Sequence, residues 1–494
     1  MKKPSVDLFV LIHSMSKPEK RYFKLHAARH LSKDNQYAKL FTLIDTQAVY
    51  NEPQLTKHFA GKKSASHFAV VKKQLYENIL EALHRYDEFA HPEQKIYKGI
   101  HFCTLLLKKG LFDQCKKQIR KYKALAYSLE KFENIIELTE IEKRLITKMQ
   151  FTSVSYLFMQ QLQHEQNTCI HYLETTNKYW FQSHTIFKMH YEKKIGPGKE
   201  NTELHNLIRD TAFTDYTKAS TFKSKLDFLQ INALHAFVSG DVSKAYQLNT
   251  QFIQLLDTHD HLKFLFADRY FSALNNYLID SLLLKRYTEL LAGILALRAL
   301  PLKPEFRHIQ NLEANVFRLS YLLEMNYYIS TERFEEALQK VHTIQKGLKI
   351  FENKIALPNA ITLHYINAYT LFTNKKFSGC LDELQVILHT HAADTITDIY
   401  RDTRMMQILC HFEMGDHMLV DSLIISMQRS LLSQKIKQQT HKIVIRFIKQ
   451  SIQKVDKPPR ADLIKKLVLL ADNEKNVFNN FNYLYWAEKI TGIS

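Results

Sequence analysis

Glycine and proline are scarce in this chain, at 11 and 10 of 494 residues, against roughly 7% and 5% in average usage. Both residues punctuate tight turns and hairpins, so their scarcity excludes an all-β fold and leaves little material for a glycine-rich phosphate cradle. Cysteine is sparse as well. There are five, an odd number, at positions 103, 115, 169, 380 and 410, with no CxxC pair. That pattern argues against a disulfide framework and favours a reducing, cytoplasmic setting. No apolar stretch approaches the ~18 residues of a membrane span. The N-terminal run Leu8 to Ile12 is too short for a secretion signal and reads as an ordinary first helix.

Chemical signatures are equally thin. GPGKE (196–200) lacks the spacing and the upstream strand of a P-loop, and no GxSxG elbow occurs. HEQNT, His164 to Thr168, begins like the zinc-protease HExxH but ends in Thr. Cys169 and His171 lie close by, yet with 24 histidines in the chain a chance cluster is the better reading. The sequence therefore predicts no catalytic residue, no cofactor and no metal.

What remains is long, helical and basic. The hydrophobic fraction of 45% is enough for a sizeable core. SKPE, Ser16 to Glu19, is a capping box, and NEPQ, Asn51 to Gln54, a second cap. Apolar residues at helical spacing predict helices over 36–47 and 66–89. The short and long helices around Gly61–Lys62–Lys63 trace a loose helix-turn-helix outline over 51–89. A helical cap is the stronger reading, because Glu77 and Glu81 follow Lys72 and Lys73 on the long helix.

Downstream, six joints look alike: GLFDQC (110–115), GDVSKA (240–245), KRYTEL (285–290), ERFEEA (332–337), KKFSGC (375–380) and GDHMLV (415–420). Each starts with Gly or a charged residue. Four carry an aromatic at the third position, namely Phe112, Tyr287, Phe334 and Phe377. The sixth position is mostly small, and positions nine before the third (Cys103, Ala233, Leu278, Met325, Ala368, Ile408) include three small residues. Small residues let two helices cross closely. Recurrence near 43 residues is a mark of an α-solenoid.

The joints resemble the tetratricopeptide repeat, most closely in VSGDVSKAYQL and STERFEEALQKV, although the period exceeds that family's 34. The resemblance covers roughly 92–455. It implies an all-α chain of antiparallel helical hairpins stacked into a right-handed superhelix with an N-terminal helical cap. The boundaries read from the sequence are 1–90 (cap), 91–195 (first hairpins and long helices), 199–455 (repeats) and 459–494 (capping helices). The resemblance also implies a peptide groove on the first helices of the hairpins, where Asn232 and Asn367 share one repeat position.

The net charge of +18 is clustered. Residues 91–123 hold nine Lys/Arg against two acids, and 429–466 hold eleven against two. In the first cluster Lys116, Lys117, Arg120, Lys121 and Lys123 fall opposite the stripe Phe112, Cys115, Ile119, Tyr122. In the second, Lys435, Lys442, Arg446 and Lys449 line one side of a helix expected over 434–453. The expected function is a non-enzymatic scaffold or adaptor that binds a protein or peptide partner, with acidic partners suited to the basic faces. The alternative is a nucleic-acid-binding or transcription-regulatory protein, similar in outline to regulators that join a helix-turn-helix to a tetratricopeptide array. No membrane partner is expected, and the sequence leaves the oligomeric state open.

Overall fold

The computed structural model describes residues 6–30, 36–60, 65–88, 92–152, 154–192, 214–390, 397–433, 439–452, 460–471 and 481–490. The fold is all-α, a helical-repeat architecture with no strand among the described residues. Two compact units divide at Asn177/Lys178.

The first unit begins with α1 (Asp7–Ser14), α2 (Lys17–His30), α3 (Gln36–Asp45), α4 (Glu52–Ala60) and α5 (Ala65–Glu88). The two caps form as the sequence implies. The Ser16 backbone N–H donates to Glu19 at 2.6 Å, and Asn51 Oδ1 accepts from the Gln54 backbone at 3.0 Å. These helices share a core of Leu8, Ile12, Phe23, Phe41, Leu75 and neighbours. There follow α6 (Pro92–Lys108), α7 (Phe112–Ser128) and α8 (Phe132–Lys148), each packed on the others, and then α9 (Tyr156–Tyr191), whose residues 156–177 belong to the first unit and 178–191 to the second. The segment in which the repeat pattern blurs is thus one helix of 36 residues.

The longer helices among the described residues of the second unit are α10 (Phe222–Val238), α11 (Val242–Asp257), α12 (Ala267–Leu283), α13 (Tyr287–Ala299), α14 (Leu312–Ser330), α15 (Phe334–Ile350), α16 (Leu357–Thr373), α17 (Phe377–His389), α18 (Thr397–Met414), α19 (His417–Ser433), α20 (Gln439–Ile452) and α21 (Arg460–Ala471). From α10 to α21 each packs on the next, and α12, α14, α16 and α18 also pack in series. Stacking of every second helix is what a helical repeat requires, since one hairpin alone leaves its apolar face exposed. At the end of the chain, Trp486 is fully buried and donates its indole N–H to Glu413 at 2.8 Å, while Phe481 packs on Tyr369 and Phe372. The terminal aromatic segment thus covers α16 and α18.

A single turn geometry builds the repeats. The first residue of every sequence joint, Gly110, Gly240, Lys285, Glu332, Lys375 and Gly415, has positive φ. At each joint the next backbone N–H reaches back five residues, as from Leu111 to Leu106 and from Lys376 to Leu371. This is a Schellman close, which satisfies the last carbonyls of the helix. The third position is then the first residue of the following helix. The sixth positions, Cys115, Ala245, Leu290, Ala337, Cys380 and Val420, are all fully buried, and the positions nine before the third are buried too.

A seventh joint of the same form lies at Glu130-Lys131-Phe132, where Glu130 has φ 52° and the Lys131 N–H bonds to the Ala126 carbonyl at 2.8 Å. Helix α7 therefore closes one hairpin and opens the next. Ile135 takes the sixth position, and Lys123 takes the position nine before the third.

Candidate functional site

The seventh joint changes the reading of the basic face on α7. Lys117, Arg120 and Lys121 are exposed, and Lys116 is half-buried. Lys123 is not on that face. It sits at the close-packed position of the hairpin, its side chain 11% exposed, and its Nζ donates to Glu142 of α8 at 2.7 Å and Glu165 of α9 at 2.6 Å. The Tyr127 hydroxyl donates to the other Glu165 oxygen at 2.9 Å. Burial and that carboxylate push the hydroxyl well above the usual tyrosine range. One cation thus ties three helices together, because a buried ammonium needs carboxylates on each side to offset its desolvation. The sequence reading treated α7 as the second helix of a single hairpin and so placed Lys123 outward.

Above this network lies an open groove of about 750 Å³ between α7, α8 and α9, lined by Ile119, Arg120, Tyr127, Phe158, Leu162, His164 and Thr168 among others. Its polar floor is fixed by the Lys123 bridges. Phe158 lines the groove from the start of α9, where the neighbouring Tyr156, Leu157 and Met159 are exposed as well. The outward face of α6 adds exposed Tyr97, Phe102 and Leu105 beside Lys98, whose ammonium lies 5.8 Å from the Phe102 ring centre. Sequence reasoning counted the cations of this segment and missed the aromatics. Their spacing at i, i+5 and i+8 on a helix whose other side carries Ile96, Ile100, Cys103 and Leu107 was the available signal.

The other predicted residues are scattered. Lys442 and Arg446 are exposed on α20, and half-buried Lys449 donates to Gln428 at 3.4 Å. Lys435 lies outside the described residues, as does GPGKE. Asn232 is half-buried and donates to the Phe228 carbonyl of its own helix at 2.9 Å. Asn367 is fully buried in α16, and neither side-chain atom has a hydrogen-bond partner among the described residues. It therefore faces the core between stacked helices and no groove. The two asparagines share a repeat position but not an environment.

The remaining chemical motifs stay apart. His164 and His171 are exposed while Cys169 is buried, so they do not converge. No group of three His, Cys, Asp or Glu suited to a metal occurs among the described residues. The Cys115 thiol donates to the Cys103 carbonyl at 3.4 Å, and burial raises the pKa of both, that of Cys103 to about 12. Neutral, inaccessible thiols act as small apolar side chains. On α5, Lys72 is taken up by Glu52 at 2.7 Å, and the outward Lys73 and Arg85 pair with Glu77 and Glu81. No helix among the described residues is long and apolar enough to cross a membrane. No protein-family model, no curated protein and no solved structure matches the chain.

Proposed function

We propose that this chain is a non-enzymatic interaction protein of tetratricopeptide-like antiparallel hairpins, which binds an acidic protein or peptide segment in the α7–α8–α9 groove. The observation that carries the reading is the groove itself. It combines a polar floor held by the Lys123 bridges, the partly exposed Phe158 ring beside the exposed apolar side chains of 156, 157 and 159, and an Arg120 guanidinium exposed and without a partner among the described residues. A floor fixed by ion pairs limits the ordering entropy lost on association, and exposed apolar side chains beside a charged group offer a partner both area to bury and a polar contact at the edge. The tetratricopeptide likeness is supported by the shared Schellman joints and the buried sixth positions.

A nucleic-acid-binding role stands second, and the exposed aromatics among cations on α6 favour it. The outward face of α5 weighs against a recognition helix, because its cations are balanced by acids.

Affinity capture from native lysate, with and without nuclease and at low and high salt, separates the two. The proposal expects specific proteins that persist after nuclease and are lost from an Arg120→Glu/Phe158→Asp variant. Recovery of nucleic acid alone, with a steep fall in binding as salt rises, overturns it.

A further inference from the structure

Among the described residues of the second unit, five acidic side chains are buried: Asp227, Asp280, Glu324, Glu383 and Asp402. Four have a cationic or histidine partner. Asp227 meets Arg269 at 2.9 Å, Glu324 meets Arg298 and Lys340, Glu383 meets His364 at 2.6 Å, and Asp402 meets His441 at 3.2 Å. Asp280, on α12 and 1% exposed, has none among the described residues. Its Oδ2 accepts one hydrogen bond, from Asn249 Nδ2 of α11 at 2.8 Å.

This carboxylate is not packed against a wall. Asp280 and Asn249 line a cavity of about 220 Å³, bounded also by Gln230, Asn276, Phe187 and Phe237. The volume is many times the ~10–15 Å³ needed for one water and falls below the ~300–1,000 Å³ of a pocket for a drug-sized ligand. It suits a single long side chain or a small amine. The composition of the wall is equally specific. Two phenyl rings and the aliphatic Leu234 and Ile279 accommodate a methylene stem, with ring faces able to attract a cation. The amides of Gln230, Asn249 and Asn276 supply polar contacts around the charge. Gln230 is itself held by Arg269, which donates to its Oε1 at 2.8 Å, so Arg269 is committed to Asp227 and Gln230.

We infer that this cavity is a binding site for an alkylammonium or alkylguanidinium group, with Asp280 as its counter-ion. The ligand supplies a cationic partner where the other four buried acids meet a lysine, arginine or histidine of the chain. Burial holds the Asp280 carboxyl up to about 6, as expected of an acid without a countercharge beside it. The site lies in the second unit and does not rest on the groove of the first. Failure of either leaves the other standing.

The test is calorimetric titration of the full chain at fixed ionic strength and pH 7.5. The probes are N-acetyl-lysine methylamide, N-acetyl-arginine methylamide, n-butylamine, n-butylguanidine and the neutral N-acetyl-norleucine methylamide. The inference expects saturable binding of the cationic probes and none of the norleucine analogue. It also expects affinity about tenfold or more weaker in Asp280→Asn, the loss of a charge-assisted bond. Tighter binding of the amino-acid amides assigns the site to a lysine or arginine side chain of a peptide, and equal binding of the bare amines to a free small cation. Leu234→Trp, which narrows the cavity and keeps the carboxylate, is expected to block binding without changing the helical content. Equal binding of neutral and cationic probes, retention in Asp280→Asn, or no binding by a wild-type chain of native helicity overturns the assignment.

Discussion

An unpaired buried carboxylate should be visible as a pH-dependent cost to folding. Asp280 titrates near 3.8 in an unfolded chain and is raised to about 6 in the fold, with burial as the cause. Between those values the folded state holds a proton that the unfolded state has lost, so stability falls as pH rises from about 4 and levels off above about 7. A shift of about two units corresponds to about 3 kcal/mol. Asp280→Asn keeps the shape and the contact with Asn249 but removes the charge. It should match wild type at pH 4, where Asp280 is protonated, and exceed it by up to about 3 kcal/mol at pH 7.5. Both tryptophans, Trp180 and Trp486, belong to the unit that holds Asp280, so urea unfolding followed by tryptophan fluorescence reports on that unit alone. Asp227 also has a raised pKa, but it is common to both proteins and cancels in the difference. A variant that is less stable than wild type at pH 7.5, or whose difference is the same at both pH values, refutes the reasoning.

Further expectations concern the fold and the groove. Lys123→Ala strands Glu142 and Glu165 and should cost about 3 kcal/mol, whereas exposed Lys117→Ala should change stability by less than about 0.5; far-UV circular dichroism in urea measures both. At the joints, Gly240 has φ 85° and an added Cβ meets nothing within 4 Å, so Gly240→Ala exposes the backbone cost alone, about 1 kcal/mol after the gain in the unfolded state is subtracted. Lys375→Gly, at φ 57°, should shift the midpoint the opposite way, and a loss of stability there contradicts the turn assignment. All five cysteines are buried, so mass spectrometry should find no alkylation by iodoacetamide in the native chain and full alkylation in denaturant.

The joints were legible because their code is local. A residue tolerant of positive φ, an aromatic two residues later and a small or apolar residue at the sixth position are enough to mark the turn. EKFENI fits that code at all three positions and escaped notice because a lysine occupies the position where another hairpin has Cys103. The same oversight misplaced Lys123, whose burial depends on Glu142 and Glu165, 19 and 42 residues away. Wheel geometry shows which side of a helix a residue takes, but not whether a third helix covers that side. Asn367 failed for this reason too, since stacked helices close over α16 while Asn232 stays half-open. The Asp280 cavity had no sequence signal at all. Its distinction is the lack of a cation in space, and only the folded arrangement of α10, α11 and α12 shows it.

The claim that the α7–α8–α9 groove is a partner-binding surface is tested most directly by site-specific photocrosslinking in native lysate. A photoreactive phenylalanine analogue at Phe158 probes the groove, and the same analogue at exposed Ile350 of the second unit serves as the control. The account predicts discrete protein adducts at position 158 that are absent at 350, survive nuclease, and diminish when Arg120→Glu is added. Adducts only to nucleic acid, or the same proteins crosslinked at both positions, would contradict it.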